Sequence, residues 1–251
     1  MNASLREKSR LKAKHVIEEI EQRTGRSLPT SYVCMDLETT GFGFDWRLSG
    51  ASNDLIVDIG ICAAGDGGFF DSKIINWLNG EHDVSEAWLS QKFDDCRASM
   101  AKSGKTYAFT TEMISAGERP ETVLMWAVEH MQKSIDSCGF VFGFNIMGFD
   151  RDVFADASAE FLGREFYIGD ELLFDVGLIE KAAQANIAMT HETLASYFFR
   201  VKKTYSKVKW NLDTCLDRYN LRNHYELAGV KTHGAADDAM LTHLVFEEMR
   251  R

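Results

Sequence analysis

An α/β domain with a mixed sheet covered by helices is the fold this sequence predicts, because β-patterned runs come first and helical and strand patterns alternate after them. Residues 4 to 24 place Leu11, Val16, Ile17 and Ile20 at helical spacing among many charges, which predicts an exposed amphipathic helix packed onto the body. After "TGRSLP" the period changes. "SYVCMDLE" reads as a strand, "TTGFG" as a turn, "LIVDIGICAAG" as a second strand and "GFFDSKIINWL" as a third, so residues 31 to 78 form an expected antiparallel meander. Residues 83 to 137 read as helical, most clearly in "RPETVLMWAVEHMQKSI", where Val123, Trp126, Ala127, Met131 and Ile135 share a face. "GFVFGFN" is then a short apolar strand, and "DRDVFADASAEFL" a helix opening at Asp150. "ELLFDVGLIEKAAQ" holds a short strand or turn and a helix, "HETLASYFF" another helix, and "GAADDAMLTHLVFEEMRR" the last.

The 251 residues, 45% of them apolar, suffice for one large core. With two prolines, no repeat and no low-complexity linker, the expected organisation is an N-terminal helical extension over residues 1–30 and one domain over 31–251. No apolar run reaches the roughly 18 residues of a bilayer span, and "MNASLREKSRLKAKHVIEEIEQR" lacks the apolar core of a secretory signal, so a cytoplasmic protein without a membrane partner is expected. Five scattered cysteines with no C-x-x-C pair suggest neither a disulfide framework nor a zinc ribbon, and Cys34 and Cys62 fall in core runs. A net charge of −10 argues against coating nucleic acid by charge alone. It leaves room for an enzyme whose carboxylates hold cations and through them a few nucleotides.

Asp36 and Glu38 stand at the end of the apolar first strand, two residues apart and therefore on one face, where they can share an ion. A surface strand end with two solvated acids is the plain alternative. "FVFGFNIMGFDRDVF" repeats the pattern of strand, turn and helix, with Asn145 at the strand end and Asp150 at the helix start, a position where Asp also serves as a cap. "THGAADDAMLTHLVF" sets His233 before a helix whose first turn holds Asp237 and Asp238. Taken together, Asp36, Glu38, Asp150 and Asp238 form a hard oxygen set with one imidazole nearby, suited to Mg²⁺ or Mn²⁺ rather than Zn²⁺. Two such ions can promote an in-line displacement at phosphorus, and a histidine with an ordinary pKa near 6.5 suits proton removal from the attacking water.

The ordered motifs D-x-E-T-T-G, N-x-x-x-F-D and H-x-A-x-x-D resemble the DEDDh group of 3′-to-5′ exonucleases, which includes polymerase proofreading subunits and RNase T-type enzymes. "LIVDIG" and "TTEMISAG" resemble accompanying segments of that family, and the resemblance covers about residues 31 to 250. It implies a ribonuclease H-like fold, with a central mixed sheet whose first three strands are antiparallel. It also implies two Mg²⁺ or Mn²⁺ ions held by Asp36, Glu38, Asp150 and Asp238, His233 as general base, and release of nucleoside 5′-monophosphates from single-stranded DNA 3′ ends. Thr39, Thr40, Gly41 and Phe42 would meet the terminal nucleotide, Phe42 by stacking. The family often reads H-N-x-x-F-D where this chain has Phe144 before Asn145 and one residue more before Asp150, a variant similar to the exonuclease domains of replicative polymerases. Residues 81 to 118 exceed what a minimal domain needs.

"RVKKTYSKVKW", residues 200 to 210, interleaves five basic residues with two aromatics and no acid, which suits phosphate contact with base stacking. Lys202, Lys203 and Lys207, with Asn145, are candidate substrate contacts, and a solvated loop is the competing explanation. An exoribonuclease of the RNase T or oligoribonuclease type and a non-catalytic nucleic-acid-binding module are the alternatives. The expected partner is a single-stranded nucleic acid 3′ end, a homodimer or a replication or repair partner being left open.

Overall fold

The computed structural model describes residues 3–41, 54–65, 68–82, 84–102, 104–222 and 234–251. Its sheet follows the expected meander. Strands β1 (Tyr32–Thr39), β2 (Ile56–Ala64) and β3 (Phe69–Ile74) pair antiparallel, while β4 (Val141–Gly143) pairs parallel with β1 and β5 (Leu173–Asp175) parallel with β4. The described strands form one five-stranded sheet in the order β3-β2-β1-β4-β5. The central strands are apolar because both faces are covered: β2 is buried from Ile56 to Cys62, and β4 and β5 are buried throughout.

The N-terminal helix α1 (Ala3–Thr24) buries Ala13, Val16, Ile17 and Ile20, but Leu11 is 58% exposed. The inward stripe thus passes through Ala13 rather than Leu11. The segment expected to be helical from 83 to 137 divides into α2 (Glu86–Ala101), the short α3 (Thr111–Ser115) and α4 (Pro120–Cys138). Hydroxyls mark the breaks, since Ser85 and Thr110 accept the N–H groups of Trp88 and Met113 as N-caps. On α4, Val123, Ala127 and Met131 are fully buried and Trp126 and Ile135 partly so.

Among the described residues the further α-helices of eight residues or more are α5 (Asp150–Leu162), α6 (Val176–Ala185), α7 (Leu194–Lys203), α8 (Leu212–Tyr219) and α9 (Ala235–Arg250). Helix α8 has no counterpart in the sequence reading, and Asn211 caps it by accepting the Thr214 N–H. Helix α1 packs on α6, α8 and α9, so its extra length is joined to the body. Among the described residues no helix is long and apolar enough to cross a membrane.

The run of α9 along β1 positions the site. Near the helix C-terminus, Tyr32 packs on Phe246 and its hydroxyl meets His243 Nδ1 at 2.8 Å and Glu247 at 3.0 Å. The helix N-terminus lies toward the other end of the same strand, where the side chains facing it are Asp36 and Glu38 rather than apolar ones.

Candidate metal centre

Glycine at position 60 brings α9 close to the sheet. Gly60 is paired with Asp36 across the β1–β2 ladder, and a Cβ there would fall 1.9 Å from the Ala235 carbonyl carbon. Next along β2, Asp58 lies opposite Glu38 and accepts the Ala235 N–H at 3.1 Å, fastening the first turn of α9. Asp238 then reaches the acids of β1. Carboxylate oxygens of Asp36, Glu38 and Asp238 all lie within 4.8 Å of one another.

Asp150 arrives from the other side of β1 by a different route. Past β4 the chain turns sharply through Asn145, whose φ of 63° is left-handed. The buried Asp175 carboxylate holds that turn by accepting the N–H groups of Asn145 (3.1 Å) and Met147 (3.2 Å), together with that of Leu178 (3.0 Å). Lys202 Nζ donates to the Met147 carbonyl at 2.9 Å. With the turn so fixed, Asp150 opens α5 and its Oδ1 accepts the Leu37 N–H at 3.1 Å, between Asp36 and Glu38. It stands beside the trio rather than within it.

Like charges in a desolvated place resist ionisation. Burial, then Asp150, Asp238, Glu38 and Asp58, push Asp36 well above the usual carboxylate range. Burial and the neighbouring acids Asp238, Asp58 and Asp150 push Glu38 up to about 8, opposed by the cation of Lys105. Asp150 is raised to about 7, chiefly by burial, against the stabilising bonds from its own and the Leu37 N–H groups. A divalent cation would reverse all three effects. The trio is all oxygen, with neither thiolate nor imidazole, which fits a hard ion such as Mg²⁺ or Mn²⁺.

No family model matches this chain, and no curated protein is a significant match.

Beside Glu38 lies a cavity of about 290 Å³ lined by Leu37 to Gly41, Asp54, Phe149, Tyr107 and the α2 residues Lys92, Asp95, Cys96, Ser99 and Met100. Thr39 and Thr40 are in its wall, yet their hydroxyls serve the fold: Thr39 Oγ1 donates to the Gly41 carbonyl at 2.7 Å, and Thr40 Oγ1 accepts the Leu55 N–H at 2.8 Å. Tyr107 and Cys96 donate to the carbonyls of Thr39 and Thr40, at 3.1 and 3.0 Å. The extra segment 81–118 therefore builds one wall of the hollow that adjoins the acids.

A second, open groove of about 530 Å³ runs past Phe144, Asn145, Lys209, Trp210 and Asp213. Trp210 stacks near Phe144, with the Lys181 ammonium 5.5 Å from its ring centre. Of the proposed basic contacts, Lys202 is committed to Met147, Lys203 lies 4.1 Å over the Phe199 ring, and Lys207 is exposed. His233 and Phe42 lie outside the described residues.

Two acids with structural work at this site escaped the sequence reading. Asp58 is only 3% exposed, and one oxygen, Oδ1, is buried without a hydrogen-bond partner among the described residues. A charge inside the apolar "LIVDIG" was the available signal, because such a group requires a partner. Asp175 ends β5 and caps α6, and the signal there was an Asp between an apolar strand and a helix.

Proposed function

We propose that this chain is a metal-dependent 3′-to-5′ exonuclease that releases nucleoside 5′-monophosphates from single-stranded nucleic acid, on a ribonuclease H-like sheet. The observation that carries the reading is the convergence of Asp36, Glu38 and Asp238, drawn from two separate stretches of sequence onto one face, with Asp150, from a third, against the same strand. The strand order, three antiparallel strands followed by two parallel ones, supports the fold assignment.

Asp36, Glu38 and Asp238 would hold the ions, and Asp150 would complete the set. Bound there, divalent cations supply activation of a water and stabilisation of the leaving oxygen. The cavity beside Glu38 takes the terminal nucleoside, and the groove past Asn145 and Trp210 takes the strand behind it, with Trp210 offering a face for stacking. His233 accepts the proton of the attacking water, a role that suits an imidazole. DNA is the first substrate to test and RNA the alternative, since discrimination rests on contacts to the 2′-hydroxyl.

Chromatography of the products from single-stranded DNA and RNA, each incubated with Mg²⁺, tests this. Nucleoside 5′-monophosphates from at least one strand type, strongly reduced by His233→Ala and abolished by Asp36→Ala, are expected. Products bearing 3′-phosphates, or full activity in Asp36→Ala, would overturn the reading.

A further inference from the structure

Lys105 stands next to this site and has no role in the scheme above. It follows α2 in a closed helix end: Gly104, at φ 72°, donates its N–H to the Ala101 carbonyl, and the Lys105 N–H bonds that of Met100 at 3.0 Å. That paired pattern fixes the Lys105 backbone, leaving the long side chain free to choose its partner. Its ammonium lies 2.8 Å from Asp213 Oδ2, in the first turn of α8.

The ion pair joins the rims of the two hollows. Met100 and Tyr107, on either side of Lys105 in sequence, line the cavity beside Glu38, whereas Asp213 lines the groove with Asn145 and Trp210. A strand with its last nucleoside in the cavity and the preceding ones in the groove must carry a phosphate past this junction. The pair contributes little to folding, because its side chains are 38% and 30% exposed and ion pairs so wetted are weak. Exchange of partners is correspondingly easy. Asp213 also has Arg222 at 3.5 Å, so it keeps a countercharge when the lysine leaves.

We propose that Lys105 is a substrate-phosphate contact of this site, held by Asp213 as a stand-in anion until a nucleic-acid phosphate displaces it. The proposal rests on the exonuclease reading and adds a strand-binding residue to it: the site admits a strand by trading one anion for another. A compact ammonium suits this exchange, since it meets phosphate as a point charge without demanding a fixed two-pronged geometry.

The test is the salt dependence of binding, by fluorescence anisotropy, of a fluorescent single-stranded oligothymidylate with phosphorothioate linkages in Mn²⁺. Lys105→Met should weaken binding about tenfold and flatten the slope of log K against log salt by about 0.7, the loss of one phosphate contact on a single strand. Lys105→Arg should recover most of both, and Asp213→Asn should bind more tightly than the wild type because the competing anion is gone. On a cleavable strand the Lys105→Met defect should fall mainly on KM. If the wild type binds and cleaves while Lys105→Met matches it in affinity, slope and KM, the proposal is overturned and the exonuclease reading survives. A wild-type protein that neither binds nor cleaves removes both.

Discussion

Asp36 and Glu38 leave the apolar run of β1 at the point where α9 changes from a core-packing helix to a carboxylate-bearing helix start. The same strand face that presents Tyr32 to Phe246 presents its acids to Asp238. Such a cluster is costly in the absence of a cation, which gives a prediction of opposite signs. Asp36→Ala and Asp238→Ala should each abolish hydrolysis, and in EDTA at pH 8 each should raise Tm, by about 3 °C for a chain of this size. Calorimetry with a parallel nuclease assay checks both, and a variant with unchanged Tm and activity would contradict the assignment. The D-x-E pair was legible because the period-two rule places alternate residues on one face. The partial roles of Thr39 and Thr40 were not, because whether a hydroxyl faces a ligand or the backbone depends on the local turn at Gly41 and on Asp54 and Leu55 arriving from elsewhere.

The elements that carry these acids are held by other residues. The turn before α5 depends on the buried Asp175, and Asp175→Ala would strand three N–H donors. Urea denaturation should show a loss on the order of 3 kcal/mol or more, with activity falling because Asp150 is released. A loss below about 1 kcal/mol would mean that the turn holds itself. Gly60→Ala tests the approach of α9 to β2: the helix must move away from a Cβ at 1.9 Å, so metal affinity should fall sharply while the sheet persists by circular dichroism. Retained Mn²⁺ affinity would show that the helix start does not set the site. The meander and the longer helices could be read from periodicity alone. Helix α8 could not, being only two turns long and lying just after a basic stretch that reads as a loop, and the division of the 83–137 segment rests on the cap bonds of Ser85 and Thr110.

At the scale of the whole molecule, the site couples protonation, cation binding and stability. Glu38 and Asp150 have carboxyls raised in the folded protein, to about 8 and about 7. The folded state therefore holds more protons than the unfolded one between the ordinary carboxylate range and pH 8. With metal chelated, their contribution to stability is present below about pH 4 and is lost as pH rises toward 8. Added Mg²⁺ or Mn²⁺ should reverse the trend, raising Tm more at pH 8 than at pH 5.5, since the ligands must be deprotonated to bind. Thermal scans at several pH values with and without metal decide this, and a metal effect independent of pH would contradict it. Sheet order and the convergence of distant acids belong to this scale too. Ordered motifs signal that convergence, but only the crossing of α9 over Gly60 explains it.

The most direct measurement is a time course on 5′-labelled single-stranded oligonucleotides with Mg²⁺ or EDTA, comparing the wild type with Asp238→Ala. The account predicts a ladder that shortens one nucleotide at a time from the 3′ end, requires the metal and vanishes in the variant. Folded protein that cleaves neither DNA nor RNA with metal present, or cleavage that survives both EDTA and Asp238→Ala, would contradict it.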